Sequence, residues 1–204
     1  MINGNMNSEE IEEIKSDIIE QYKKEGKPIK INIACGQQKL DGFIGMDKIR
    51  TEATDIVHDL DQIPWPIPDN SADEVTISHY VEHVKDLIGF MDEVYRIMKS
   101  PWINKDGEKV TSKVTVVAPY YSSMRAWQDP THVRAISEAS FLYYNEDWRK
   151  ANKLDHYGIK SNFDFSYGYS LAPEWAGRSQ EARDFGIKHY INVITDIYVT
   201  LVKK

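Results

Sequence analysis

The sequence predicts an α/β domain built on a mostly parallel sheet that finishes with an antiparallel pair, and three observations predict it. Short apolar runs rich in β-branched residues, at 29–34, 42–46, 55–57, 74–78 and 113–118, are separated by turns and by one long amphipathic helical pattern. The first run breaks at Cys35-Gly36, while the next two end on Asp47 and on His58-Asp59. Two further strand-like runs, 163–171 and 191–202, close the chain with a long connection between them, as an antiparallel pair at the sheet end requires. A glycine turn and two carboxylates at successive strand ends suit a ligand lying across the carboxyl edge of a parallel sheet.

The elements follow in order. Residues 8–25 place Ile11, Ile14, Ile18 and Tyr22 on one stripe of a helix expected to cover the sheet edge. Asn7 or Ser8 caps it, and Gly26 with Pro28 ends it. After the first three strands a proline-rich loop, IPWPIPDNSADEV, feeds the strand at 74–78. Residues 82–99 then read as the clearest helix, with Val84, Leu87, Ile88, Met91, Val94, Tyr95 and Met98 facing inward and Ser100-Pro101 as the stop. A polar turn at 104–109 leads to the strand 113–118, closed by Pro119. The expected organisation is a single domain over 1–204, with an N-terminal helix within 1–28 and an insertion at 120–160 on the substrate side.

Bulk properties narrow the function. The chain has 204 residues, 41% hydrophobic and 28% charged, ordinary for a soluble globular protein with a real core. A net charge of −7 disfavours holding nucleic acid by general electrostatics. One cysteine makes neither an internal disulfide nor a cysteine-rich zinc site, and points to a reducing cytoplasm. The polar start lacks the apolar core of a signal peptide, and no apolar run reaches membrane-spanning length, so no membrane partner is expected.

Three nucleotide or metal chemistries find no support. The dinucleotide fingerprint G-x-G-x-x-G is absent, and Asp47 follows Gly36 by eleven positions instead of ~20. No phosphate-binding G-x-x-x-x-G-K-[ST] loop exists. His79-Tyr80-Val81-Glu82-His83 matches the H-x-x-E-H pattern of inverted zinc peptidases, but that chemistry needs both histidines on one helical face. Here His79 follows a strand directly, so the helix is expected to start near Glu82, with Glu82 and His83 in its first turn. No metal ligand is assigned.

Six blocks, INIACG, GFIGMD, DIVHDL, PWPIPDNSADEV, SHYVEHV and FMDEVYRIMK, run in order over residues 31–99. Together they resemble class I S-adenosylmethionine-dependent methyltransferases, and more closely small methyltransferases of glycan and phage gene clusters. The resemblance implies a Rossmann-like, three-layer α/β/α fold and S-adenosyl-L-methionine as cofactor. It places Ala34, Cys35 and Gly36 at the methionine portion, Asp47 on the ribose diol, and Asp59 with Leu60 at the adenine. Ser78 and His79 would line the methyl-transfer pocket. For Asp47 and Asp59 alone, turn or cap roles are the competing reading. This chain departs from the family's glycine-rich turn, since Ala34 precedes Cys35-Gly36 and Gln37-Gln38 follow. The connection from Cys35 to Asp41 is also too short for a crossover helix, so a compressed turn is expected there.

On the substrate side, positions 120–169 hold twelve of the chain's 23 aromatic residues, fitting either a lid over the substrate or the insertion's own small core. Asp129-Pro130-Thr131-His132 is the best polar group there, and the DPTH block recurs in the resembling subgroup. His132 is the candidate general base with Asp129 orienting it. The local alternative is that Asp129 caps the Pro-Thr turn and His132 bonds a loop carbonyl. Residues 121–160 carry six basic and five acidic side chains, which makes no electrostatic track for nucleic acid. The expected reaction is methyl transfer to a small molecule, a sugar or nucleotide intermediate. A non-catalytic cofactor-binding module and a nucleic-acid methyltransferase are the alternatives.

Overall fold

A computed structural model describes residues 18–204; Ile11, Ile14 and the caps Asn7 and Ser8 lie outside them. Residues 18–24 are helical (α1), with Ile19 fully buried. Nine strands follow: β1 (Lys30–Ile33), β2 (Ile44–Asp47), β3 (Ile56–Val57), β4 (Glu74–Ser78), β5 (Trp102–Ile103), β6 (Lys109–Val110), β7 (Lys113–Pro119), β8 (Phe163–Leu171) and β9 (Ile194–Lys203). Seven of them form one sheet in the order β3-β2-β1-β4-β7-β9-β8, while β5 and β6 pair separately. Only β9 runs against its neighbours, pairing antiparallel with both β7 and β8. This is the mostly parallel, Rossmann-like α/β sheet that the sequence predicts.

The central strands are apolar on both faces, as a covered parallel sheet demands. Ile31, Ile33, Ile44, Met46, Val75, Ile77, Val114 and Val116 are all buried. The chain order reverses between β1 and β4, so their carboxyl ends flank the topological switch point where open α/β sheets bind ligands. Between β1 and β2 no helix forms: residues 34–43 make the crossover with turns, one of them closed by Gln38 N–H donating to the Cys35 carbonyl at 2.8 Å. The compressed turn expected from the short spacing is therefore present.

Helix α2 spans Leu87–Ile97 and buries Phe90, Met91, Val94 and Ile97 against the sheet. It starts five residues later than the sequence pattern suggests. Asp86 is its N-cap, accepting from Gly89 N–H at 2.9 Å, and residues 81–83 are a turn. Glu82 and His83 are thus not first-turn helical residues. At the other end, buried Lys203 donates to the carbonyls of Tyr95 and Met98 at 2.8 and 2.7 Å. This cation sits where the helix dipole is negative and ties the last strand to the helix. The 104–109 turn is flanked by β5 and β6 as a small hairpin.

The insertion holds short helices α3 (Arg125–Gln128) and α4 (Glu146–Ala151), plus 3-10 turns at Glu138–Tyr144 and Asp155–Tyr157. Buried Arg149 organises it by donating to the carbonyls of Tyr143, Ser161 and Ile159. Two further helices, α5 (Pro173–Ala176) and α6 (Gln180–His189), connect β8 to β9, so the antiparallel pair is not a tight hairpin.

At the edge opposite the switch point, Lys30, Glu74 and Lys113 occupy facing positions on β1, β4 and β7. Glu74 accepts from both lysines at 3.0 and 3.2 Å. Burial alone would raise its carboxyl, but these two cations outweigh burial and hold it below its ordinary value of 4.5. A lowered folded-state pKa means stability that is present above the unfolded value and lost as pH falls through the folded one. Glu74→Gln should therefore lower the melting temperature at neutral pH, and the gap to wild type should close as the buffer is acidified below 4.5. Melting curves of both proteins across that range check it.

Candidate functional site

A cleft of about 500 Å³ opens at the carboxyl edge, lined by Ala34 after β1, Asp47 and Lys48 after β2, Leu60 and Asp61 after β3, and His79 and Tyr80 after β4. His83, Lys85, Thr131 and Val133 form the opposite wall. The backbone at the strand ends is unusual. Ala34, Gly36 and His79 have φ of 55°, 53° and 52°, the left-handed region that costs a side-chain-bearing residue about 1 kcal/mol or more. Such strain concentrates where a backbone must approach a ligand. Ala34 thus adopts a conformation that glycine would take more cheaply.

Asp47 is the hub of this edge. Its Oδ2 accepts from Gly36 N–H at 2.9 Å and its Oδ1 from Ile49 N–H at 3.0 Å, fixing the turn after β1 to the end of β2. The Thr51 hydroxyl donates to the Gly36 carbonyl at 2.5 Å. Cys35 is buried beneath the turn, its sulfur 3.5 Å from the Ala53 carbonyl and 3.7 Å from the Thr54 hydroxyl. Its thiol points into packing, so only its backbone is available at the edge. Burial, aided by the Asp47 charge and opposed by the Thr54 contact, leaves that thiol with a raised pKa.

Beyond β3, Leu60 is buried in the wall and its carbonyl accepts from the Trp65 indole N–H at 3.1 Å. Asp59 is exposed and its Oδ1 accepts from Asp61 N–H at 3.1 Å, while Asp61 is the carboxylate lining the cleft. Burial, followed by the charges of Asp61, Asp59 and Asp47, pushes the Tyr80 hydroxyl up to about 12, so it stays a donor at neutral pH. Ser78 ends β4 half-buried, and His79 projects from the strained residue after it.

The Asp129–His132 group is arranged differently from the sequence reading. Asp129 Oδ1 accepts from Thr131 N–H at 2.8 Å and from its hydroxyl at 2.7 Å, and these bonds lower its pKa. Its distance to His132 Nε2 is 4.0 Å, too long for a hydrogen bond. His132 Nδ1 instead donates to the Ala126 carbonyl at 3.0 Å. The local alternative is what the geometry shows for both residues. Thr131 Oγ1 lies 3.0 Å from His83 Nδ1, so Asp129 orients His83 through Thr131. His83 faces the cleft, and His132 stands behind it with ring centroids 4.7 Å apart.

Sequence reasoning named Ala34, Asp47, Leu60 and His79, which line the cleft, and missed Asp61, Tyr80, His83 and Thr131 as its lining. The signal for His83 was there in the H-x-x-E-H block. It was set aside because that block fails as a helical zinc motif, and the turn at 81–83 shows why it fails.

Residues 40–101 match the sequence family described as Methyltransferase domain. No curated protein sequence matches the chain. Among solved structures, a SAM-dependent methyltransferase from Archaeoglobus fulgidus superposes with a TM-score of 0.53 at 17% identity, covering 94% of each chain. The YcgJ protein from Bacillus subtilis does so at 0.50 and 15% identity, covering 94% of this chain and 98% of its own. These likenesses show the fold, and the matched segment adds the methyltransferase domain. The fold is thus the one shared with S-adenosylmethionine-dependent methyltransferases, and residues 40–101 carry the sequence pattern of a methyltransferase domain, which makes S-adenosylmethionine the cofactor to test against the site.

The residues present fit that cofactor. A side chain built on Gly36 would meet nothing within 4 Å, so the turn opens onto free space beside the Asp47 carboxylate. Asp47 keeps acceptor capacity beyond its two backbone bonds, which a ribose diol requires. No helix of the described residues is long and apolar enough to cross a membrane.

Proposed function

We propose that this protein transfers the methyl group of S-adenosylmethionine to a hydroxyl-bearing small molecule, a sugar or nucleotide intermediate, in a reducing cytoplasm. Ala34, Cys35 and Gly36 would meet the methionine portion through backbone, Asp47 the ribose, Asp59 and Leu60 the adenine side, and Ser78 and His79 the methyl end. The observation that carries the reading is the cleft itself, with strained strand-end backbone on one wall and a histidine-threonine wall opposite. When bound, the cofactor supplies a methyl on a sulfonium sulfur, which keeps the C–S electrons as a neutral thioether when an acceptor lone pair takes the carbon. The chain's part is to orient the acceptor, exclude water and receive its proton.

The groups placed to receive it are His83, held by Thr131 and Asp129, and His132 behind it. His132→Ala should leave S-adenosylhomocysteine binding intact and lower turnover by roughly a hundredfold, the scale of general-base assistance. Unchanged turnover would remove His132 from the mechanism. The near-balance of charge over 121–160 supports a small acceptor over a nucleic acid. The discriminating experiment supplies isotopically labelled cofactor with nucleotide-sugars, free sugars and RNA in parallel. Label should enter the small molecules; label entering RNA alone would replace this reading with a nucleic-acid methyltransferase.

A further inference from the structure

Glu82 is 2% exposed, and neither of its carboxylate oxygens has a hydrogen-bond partner. Its nearest cationic candidates stand off, with His79 Nδ1 at 3.6 Å and His132 Nε2 at 4.0 Å from Oε1. A buried carboxylate with no donor is an exception that needs an explanation, and a bound cation is one that its neighbours can supply ligands for. Its surroundings supply the rest of a metal site. Glu82, His83 and His132 each offer a ligand atom, and these atoms lie within 4.8 Å of one another.

The two imidazoles are prepared for that role. His132 donates its Nδ1 hydrogen to the Ala126 carbonyl, which leaves the Nε2 lone pair on the side of Glu82. Since the Thr131 hydroxyl spends its hydrogen on Asp129, His83 Nδ1 must donate to Thr131 Oγ1, and its Nε2 is left free. A ring anchored through one nitrogen to a carbonyl or to a carboxylate-linked hydroxyl is how proteins orient metal-ligating histidines. Two neutral imidazoles and one carboxylate favour a first-row transition metal over magnesium or calcium. Of the three, His83 lines the cleft, which is the side from which a fourth ligand would enter.

We infer that Glu82, His83 and His132 bind one divalent transition-metal ion of the zinc type at the wall of the cleft. Its use, which rests on the methyl-transfer reading, is to hold an acceptor hydroxyl by its oxygen and ease release of that proton to solvent, so that in the metal-loaded protein His83 and His132 act as ligands in place of the proton-accepting role they have without the ion. This selects oxygen acceptors over carbon or thioether ones.

Chelator-treated full-length protein titrated with cobalt(II), whose visible absorption reports imidazole coordination, tests the site. One equivalent should bind, and zinc should displace it. His83→Ala and His132→Ala should each weaken binding by at least about tenfold while melting cooperatively. Glu82→Gln should do the same, and the two histidine variants carry the test if it fails to fold. Absence of cobalt bands, or bands unchanged in the double histidine variant, overturns the inference. S-adenosylhomocysteine calorimetry on the same sample separates the two readings. Cofactor binding without cobalt binding overturns the metal site alone, whereas cobalt binding without cofactor binding supports the metal site and overturns the methyl-transfer reading.

Discussion

Asp47→Ala should weaken S-adenosylhomocysteine binding by about 3 kcal/mol, on the order of a hundredfold, with the sheet still folded. Two losses combine in that figure. On the proposed reading the carboxylate accepts from the ribose diol, and it also holds Gly36 N–H and Ile49 N–H at 2.9 and 3.0 Å. Without it the turn after β1 keeps the Cys35 N–H bond to the Met46 carbonyl at 3.3 Å but loses its side-chain tie to β2, and the backbone that must approach the ligand closely is less preorganised. Asp47→Asn separates the two effects, because an amide oxygen still accepts one backbone bond but lacks charge. Its binding should fall between wild type and the alanine variant, measured by calorimetry. An alanine variant that binds as tightly as wild type would remove Asp47 from the site.

Gly45→Ala should be the most damaging single methyl group in the sheet. A Cβ there would lie 1.9 Å from the Ala53 carbonyl oxygen and 3.0 Å from the Cys35 sulfur. The obstruction is backbone, not the end of a flexible side chain, and Gly45 is itself pinned by Asp55, which accepts its N–H at 2.8 Å. Accommodating the methyl requires β2 to move from the 51–55 segment that supports the cleft floor. Overpacking of this kind costs about 3 kcal/mol or more, a drop of roughly 10 °C in melting temperature for a domain of this size. Thermal unfolding measures it directly, and a variant melting within a degree or so of wild type would mean the 51–55 segment yields freely.

The sheet was legible because its signals are local and redundant. β4 reads from 74–78 without adjustment, since Val75 and Ile77 alternate with half-exposed neighbours. The start of α2 misled because Val81 and Val84 are buried in the turn and so extend the apolar pattern backwards. Asp86 was the true start signal, an N-capping residue three before Gly89. The β5–β6 hairpin has two residues per strand, too short to carry periodicity. In the site, the strand-end residues followed from sheet geometry. The opposite wall did not, because it joins His83 to Thr131 across 48 positions, and no local pattern encodes that distance. The sequence reading paired Asp129 with His132 by proximity, where Thr131, lying between them, competes successfully for the carboxylate.

The central claim is that the switch-point cleft holds S-adenosylmethionine. Calorimetric titration of the wild-type protein with S-adenosylmethionine and S-adenosylhomocysteine tests it most directly. Saturable one-to-one binding of both is the predicted result; an intact, cooperatively melting protein that binds neither would contradict it.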